Sequence, residues 1–207
     1  MEKDILKPVG EINEKSTYIC GLDPSRTGKD ETALVILEKL PFGEDIFVSY
    51  IEIINTTKLD IVIARVIFLD KIYNFKKIII DETGVGGGPT DILKAQLGYR
   101  VEGVWYTAKI KAEMFNNLKI LMMRKTGKLY IPDYLEMRSS IVKKMYYQFL
   151  SITQEYKNDD ATRVPKISHE ARSHDDIVNA IALAATFFNI KNNRTRTYGF
   201  GGFNVTK

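Results

Sequence analysis

The run Lys77-Ile78-Ile79-Ile80-Asp81 constrains this chain more than any other segment. Three consecutive β-branched apolar residues leave no polar face, so a strand here must be covered on both sides. Its surroundings agree. The residues from Lys58 to about Tyr73 read as a helix with Thr57 as its cap, and apolar positions nearly encircle it, which predicts deep burial. After the run, Gly84 to Gly88 form a glycine-rich loop, and Pro89 stands where the first turn of a helix favours proline. Upstream, Thr17–Asp23, Thr32–Leu37 and Ile46–Ile54 read as strands. The turns between them, at Pro24–Lys29 and Pro41-Phe42-Gly43, are short, which predicts an antiparallel meander. Downstream, the pattern gives a strand over Tyr99–Tyr106, a helix over Lys111–Arg124, a strand over Lys128–Ile131 and a helix over Tyr134–Phe149. Short strands over Phe149–Tyr156 and Arg163–Ile167 precede a last helix, His174–Phe188. A meander followed by alternating strands and helices makes an α/β protein with a mixed sheet, helices lying on both faces. Residues 1–16 read as a linker or the scar of a cut, 17–190 as one folded domain, and 191–207 as a flexible basic tail.

Composition removes several functional classes. At 207 residues, 44% hydrophobic and 27% charged, the chain has the material for one sizeable core. No apolar run reaches the ~18 residues a membrane span needs, and the start has no secretory pattern. The single Cys20 excludes an intrachain disulfide and leaves too few thiolates for structural zinc. Two histidines, His169 and His174, argue against a histidine-rich metal site. The net charge of +4 is mildly basic. That charge gains meaning if several acids converge, because the remaining surface is then more positive and suits phosphate.

The acids are placed to converge. Asp23 and Asp81 each end a predicted strand, and open sheets gather their active sites at such ends. If the strands are neighbours, the two carboxylates repel unless one protonates or a cation sits between them. Oxygen-rich sites of this kind suit Mg²⁺ or Mn²⁺. The plainer reading of either aspartate alone is a strand-end turn residue. Asp175 and Asp176 open the last helix after Ser173 and His174. There Ser173 with Asp176 imitates a capping box, and acids suit a helix N-terminus. A capping acid can also be a metal ligand, and two adjacent acids exceed what a cap requires. Ala180, Ala182, Ala184 and Ala185 would let this helix approach the sheet closely. The loop Gly84–Gly88 lacks the Lys-Ser/Thr ending of a phosphate-binding P-loop, and Gly28-Lys29-Asp30 lacks the spacing and the hydroxyl. Nucleoside triphosphate binding by a P-loop is therefore rejected, and the glycines read as a close backbone approach or a simple connection. Lys109, Lys111, Lys119, Arg124, Lys125 and Lys128 cluster in sequence beside Trp105 and Tyr106. They read either as a solvated helix face or as a groove that tracks DNA phosphates.

Three segments resemble the nuclease domain of viral large terminases. Gly21-Leu22-Asp23-Pro24-Ser25 with Gly28 to Ala33 resembles its first motif. Ile80-Asp81-Glu82-Thr83-Gly84-Val85-Gly86 with Asp91-Ile92-Leu93 resembles the second, and Ser173 through Ala184 the third. Gly103-Val104 and Lys111 through Leu121 resemble the middle region. The resemblance implies a ribonuclease H-like fold, with metal ligands at Asp23, Asp81 and the Asp175–Asp176 pair, Asp176 preferred as the direct one. Asp30 becomes an auxiliary ligand, and His174 a group that supports a ligand or handles a proton. Asn179 stands where many relatives carry an acid, which weakens any role there.

The implied activity is that of an endonuclease that cuts double-stranded concatemeric viral DNA during packaging. Two Mg²⁺ or Mn²⁺ ions, about 3.5–4 Å apart and bridged by Asp23, would act by two-metal hydrolysis. The chain carries no ATPase motif, so the resemblance implies the C-terminal part of a longer protein. Its partners would be an N-terminal ATPase domain, a capsid portal and a small terminase in the host cytoplasm, with no membrane. Rival readings are a Holliday-junction resolvase or transposase of the same fold, an actin-like ATPase fragment, which this chain is too short to complete, and a non-catalytic portal-docking module.

Overall fold

The computed structural model describes residues 5–6, 12–25, 31–56, 58–133, 135, 139–155, 164–169 and 174–188. The meander forms as expected: β2 (Thr17–Asp23), β3 (Thr32–Lys39) and β4 (Ile46–Ile54) pair antiparallel in order. The isoleucine run is β5 (Lys77–Asp81), which lies parallel to β2 and not beside its predecessor β4. β6 (Val101–Val104) adds in parallel to β5. At the other edge, β1 (Ile5–Leu6) pairs antiparallel with β4, and β7 (Leu129–Tyr130) runs parallel to it. The segment read as a linker thus donates an edge strand. The sheet order is β1-β4-β3-β2-β5-β6, with β7 also on β4.

Side-chain alternation divides the core. Even-numbered Cys20, Leu22, Leu34, Ile36, Ile78 and Ile80 pack under α1 (Leu59–Tyr73) and α2 (Gly88–Leu97). Odd-numbered Ile19, Ala33, Val35, Leu37 and Ile79 pack under α3 (Ala108–Met123), α4 (Ser140–Ser151) and α5 (Asp176–Ala185). All three isoleucines of β5 are buried, as a strand covered on both faces requires. Burying each contributes about 1.5–3 kcal/mol. A small separate hairpin, β8 (Ile152–Glu155) with β9 (Lys166–His169), sits between α4 and α5 in sequence.

Local chemistry sets the helix ends. α1 stops at Asn74, which adopts the left-handed conformation and donates its N–H to the Asp70 carbonyl. The Thr107 hydroxyl caps α3 by accepting from the N–H of Ile110, so the helix begins three residues earlier than its apolar pattern suggests. α1 is buried on one side only, with Ile61, Phe68 and Ile72 exposed, which corrects the expectation of all-round burial. A 3-10 turn over Gly98–Arg100 takes the first part of the strand predicted over Tyr99–Tyr106. Thr57, Ser173 and the tail 191–207 lie outside the described residues. Among the described residues no helix is long and apolar enough to cross a membrane.

Candidate active site

Two neighbouring strands and one helix deliver acids to the same end of the sheet. The β2–β5 register pairs Leu22 with Ile80, so Asp23 and Asp81 stand one step further on adjacent strands. Adjacent strands are about 4.8 Å apart. Both aspartates are odd-numbered, which directs them to the face that α5 covers. Gly21 lets that helix come close, because a Cβ at this position would lie 2.0 Å from the Ala180 carbonyl oxygen. The Ala184 backbone nitrogen closes the same contact, and Ala180, Ala182, Ala184 and Ala185 are all fully buried. The approach carries the first turn of α5 over the strand ends. There the Asn179 side-chain amide donates to Asp23 Oδ2 at 3.0 Å.

The helix N-terminus is satisfied from elsewhere. Gln148 on α4 accepts from the N–H groups of Ile177 and Val178, at 2.8 and 3.4 Å. Asp175, at the cap position, makes no side-chain capping bond. Its carboxylate instead accepts a hydrogen bond from Lys111 Nζ at 2.9 Å and lies 3.4 Å from His169 Nδ1. Asp176 Oδ2 lies 3.6 Å from His174 Nδ1. Asp175 and Asp176 are both buried.

Burial raises the Asp23 carboxyl well above the usual range, and Asp81, Asp176 and Asp175 push it further, against the Asn179 hydrogen bond. Burial also raises Asp81, although the Thr83 hydrogen bonds and the Lys111 charge oppose this. Asp175 goes the other way. Burial alone would raise it, but Lys111 and His169 outweigh that and hold it below its ordinary value. All four predicted acids therefore belong to one electrostatic unit. As they stand, no three His, Cys, Asp or Glu side chains among the described residues are grouped closely enough to hold an ion. The chemistry of the donors still fits a hard divalent cation: they are carboxylate oxygens, and their mutual repulsion on Asp23 is what a cation would reverse. Cys20 is buried and lies on the opposite face.

The remaining sequence candidates divide. Lys111 turns inward to the acids, while Lys109, Lys119 and Lys125 are exposed and Arg124 is half-buried. Asp30 lies outside the described residues. In the glycine loop, Gly86 has φ +75°, and its N–H closes a turn onto the Glu82 carbonyl. Gly84 and Gly88 face open space, so the loop is explained by its turn and not by close packing. Gly103 matters differently, because the Glu82 carboxylate occupies the place its Cβ would take. Sequence reasoning missed Gln148, His169 and Tyr106 at the site and discounted Asn179. The signal for Asn179 was available: it lies one turn beyond Asp175–Asp176 on the helix face that the alanines press to the sheet.

A mixed sheet with acids at the ends of two adjacent strands, beneath a small-residue helix, is a ribonuclease H-like fold. Large terminase nuclease domains are among the solved structures that share the fold. The large terminase nuclease from thermophilic phage G20c with bound magnesium aligns with a TM-score of 0.67 at 20% identity, over 89% of this chain and 93% of that one. The nuclease domain of the large terminase subunit gp2 of bacterial virus Sf6, with manganese and beta-thujaplicinol, aligns with a TM-score of 0.62 at 12% identity, over 84% and 89%. The g2p (large terminase) nuclease domain from bacteriophage SPP1 with bound Mn gives 0.54 at 19%, over 83% and 86%. At these identities the likeness establishes the fold. No family model and no curated protein sequence matches the chain.

Proposed function

We propose that this chain is the nuclease domain of a viral large terminase, a metal-dependent endonuclease for double-stranded DNA. The observation that carries the reading is the convergence of Asp23, Asp81, Asp175 and Asp176 at one end of the sheet, where the charges of the other three bear on Asp23. In this reading Asp23, Asp81 and Asp176 hold Mg²⁺ or Mn²⁺, with His174 beside Asp176. Two such ions, when bound, lower the pKa of an attacking water and stabilise the leaving 3′ oxygen. Asn179 fixes the orientation of the Asp23 carboxylate by its hydrogen bond. Asp175 is already engaged by Lys111 and His169, so it serves as their anchor while Asp176 is the direct ligand. Lys111 sets a positive charge beside the acids, where a DNA phosphate would need it. The exposed Lys109, Lys119 and Lys125, with Arg124, track the backbone without reading bases. The wider context we propose is an ATPase domain in the same protein, a portal and a small terminase, acting in the host cytoplasm on concatemeric DNA.

The test is Asp23→Ala in a supercoiled-plasmid assay with Mn²⁺ or Mg²⁺. Cutting is expected to disappear while circular dichroism stays that of the folded domain. Full activity in this variant removes the assignment. Equal cutting of linear duplex and branched DNA is expected, whereas strong preference for a four-way junction would favour a resolvase.

A further inference from the structure

A second lysine, Lys144 on α4, stands at the acid end of the sheet. Two separate routes place it there. One runs through the strands. Asp23 pairs with Ala33 on β3, and the Ser25 N–H donates to Thr32 Oγ1 at 2.9 Å, so the two chains stay together past the end of β2. Glu31 comes next on that side, and its carboxylate accepts a hydrogen bond from Lys144 Nζ. The other route runs through the helices. Lys144 lies one turn before Gln148, on the same face of α4. Gln148 accepts from the Ile177 N–H at 2.8 Å, next to Asp176. Lys144 is thus bracketed between the chain just beyond Asp23 and the start of the helix that carries Asp176.

This lysine differs from Lys111 in what holds it. Lys111 is tied to Asp175, which is buried. The Lys144 side chain is 35% exposed and that of Glu31 is 28% exposed, so both ends of the pair are open to water. An ion pair this exposed adds little to stability, because water solvates either partner when they separate. It does hold the ammonium group in one place. A DNA strand lying at the acids brings its phosphates to this end of the sheet. A phosphate oxygen accepts the same charge-assisted hydrogen bond as Glu31 does, so one acceptor can replace the other while the ammonium group stays paired.

We propose that Lys144 is a DNA-binding residue of this site: Glu31 keeps its ammonium group at the edge of the acid cluster, and a backbone phosphate of the bound strand replaces the carboxylate. This rests on the nuclease reading above. The two members of the pair then act in opposite directions. Lys144 attracts the strand, and Glu31 competes with it for the same ammonium group. A pair that only pinned α4 to β3 would respond alike to the loss of either member.

The test compares Lys144→Gln, Glu31→Gln, Asp23→Ala and the unmutated domain in plasmid cutting with Mn²⁺, at several salt concentrations. Lys144→Gln is expected to raise the KM for DNA about threefold to tenfold, as loss of one phosphate contact does, and to make its salt dependence shallower by about one ion. Glu31→Gln is expected to lower the KM by about twofold or more, because a competing charge is gone. The Tm in EDTA should change little in either variant. Lys77→Gln and Glu102→Gln break a 2.7 Å pair toward the other end of β5 and should leave the KM near the unmutated value. An unchanged KM in Lys144→Gln, with Asp23→Ala inactive, overturns the role of Lys144 and leaves the nuclease reading standing. A KM that moves the same way in Lys144→Gln and Glu31→Gln also overturns it, since the pair would then be structural. Equal shifts in the Lys77 and Glu102 variants overturn it as well, because net charge alone would explain them. Failure of the unmutated domain to cut, or full cutting by Asp23→Ala, overturns the nuclease reading and this inference with it.

Discussion

The two faces of the sheet treat buried charge in opposite ways. Beneath α1, Asp70 is gripped by Arg100 through two hydrogen bonds of 2.8 and 2.9 Å and also accepts from the Phe75 N–H. Nearby, Glu52 meets Arg65 at 2.8 Å, and the Tyr50 hydroxyl donates to it at 2.7 Å. Each buried acid on this face has its own arginine. At the ends of β2 and β5, under α5, lie four carboxylates, Asp23, Asp81, Asp175 and Asp176, that act on one another electrostatically. Lys111 is held there by Asp175, while Asp23 carries the repulsion of the other three. The same chain that neutralises Asp70 and Glu52 in place leaves Asp23 and Asp81 for something else to neutralise. In the nuclease reading proposed above, the paired charges serve the fold and the unpaired ones are left for a cation.

The sharpest way to break this contrast is to unpair the structural side. Arg100→Ala leaves the Asp70 carboxylate buried without its cation, a change that costs about 3 kcal/mol. Urea denaturation should show a lower midpoint at unchanged m-value. Any plasmid cutting should persist below the new transition, because Arg100 serves the opposite face. A variant as stable as the parent would mean that the Asp70 pair is no more needed than a surface salt bridge.

A smaller effect is expected where the two roles meet. Gly21→Ala pushes a methyl into the Ala180 carbonyl, and overpacking of this kind costs about 1–3 kcal/mol. The displaced α5 also carries Asn179 and Asp176 away from Asp23. Denaturation should therefore report a loss of stability, and the plasmid assay a fall in cutting beyond what the folded fraction explains. Unchanged cutting would show that the helix approach is not what assembles the acids.

What could be read in the sequence follows from the range of each interaction. Alternation and continuous apolar runs are local, so β2 to β5, the helix after the meander and the acids at the strand ends were all legible. Whether β5 lies beside β2 was left open by the sequence, because a parallel pairing across a helix has no local signature; the β2–β5 register supplies it. The capping of α5 was not legible, because its acceptor is Gln148, which lies 29 residues from Ile177 and on another helix. The sequence offered Ser173 with Asp176 as an imitation of a capping box, and Ser173 lies outside the described residues. Lys111 was grouped with the basic residues of α3, and only the three-dimensional turn of its side chain toward Asp175 separates it from them. Asn179 was discounted because it is not an acid, yet an amide can donate to Asp23 where another carboxylate would only repel it.

The smallest expected effect concerns the unpaired side without metal. In the fold Asp23 has a raised pKa, so between its unfolded value, about 3.9, and that raised value the folded state binds more protons than the unfolded one. Stability from this group is complete below the unfolded value and is lost as pH rises through the folded one. Asp175 has the opposite sign: its lowered pKa contributes stability above the unfolded value and loses it as pH falls. The two act in different windows, so a titration upward from about pH 4 isolates Asp23 together with Asp81, which shifts in the same direction. Asp23→Asn keeps an oxygen for the Asn179 amide and removes the charge. In EDTA its Tm should exceed that of the unmutated domain at neutral pH, by about 2–4 °C for each kcal/mol of repulsion removed. The gap should close as pH falls toward the unfolded value. Adding Mg²⁺ or Mn²⁺ should raise the Tm of the unmutated domain and leave that of Asp23→Asn nearly unmoved, since a ligand stabilises only the fold that binds it. A variant less stable than its parent at neutral pH would mean that Asp23 is compensated within the fold, like Asp70, and the contrast between the two faces would be lost.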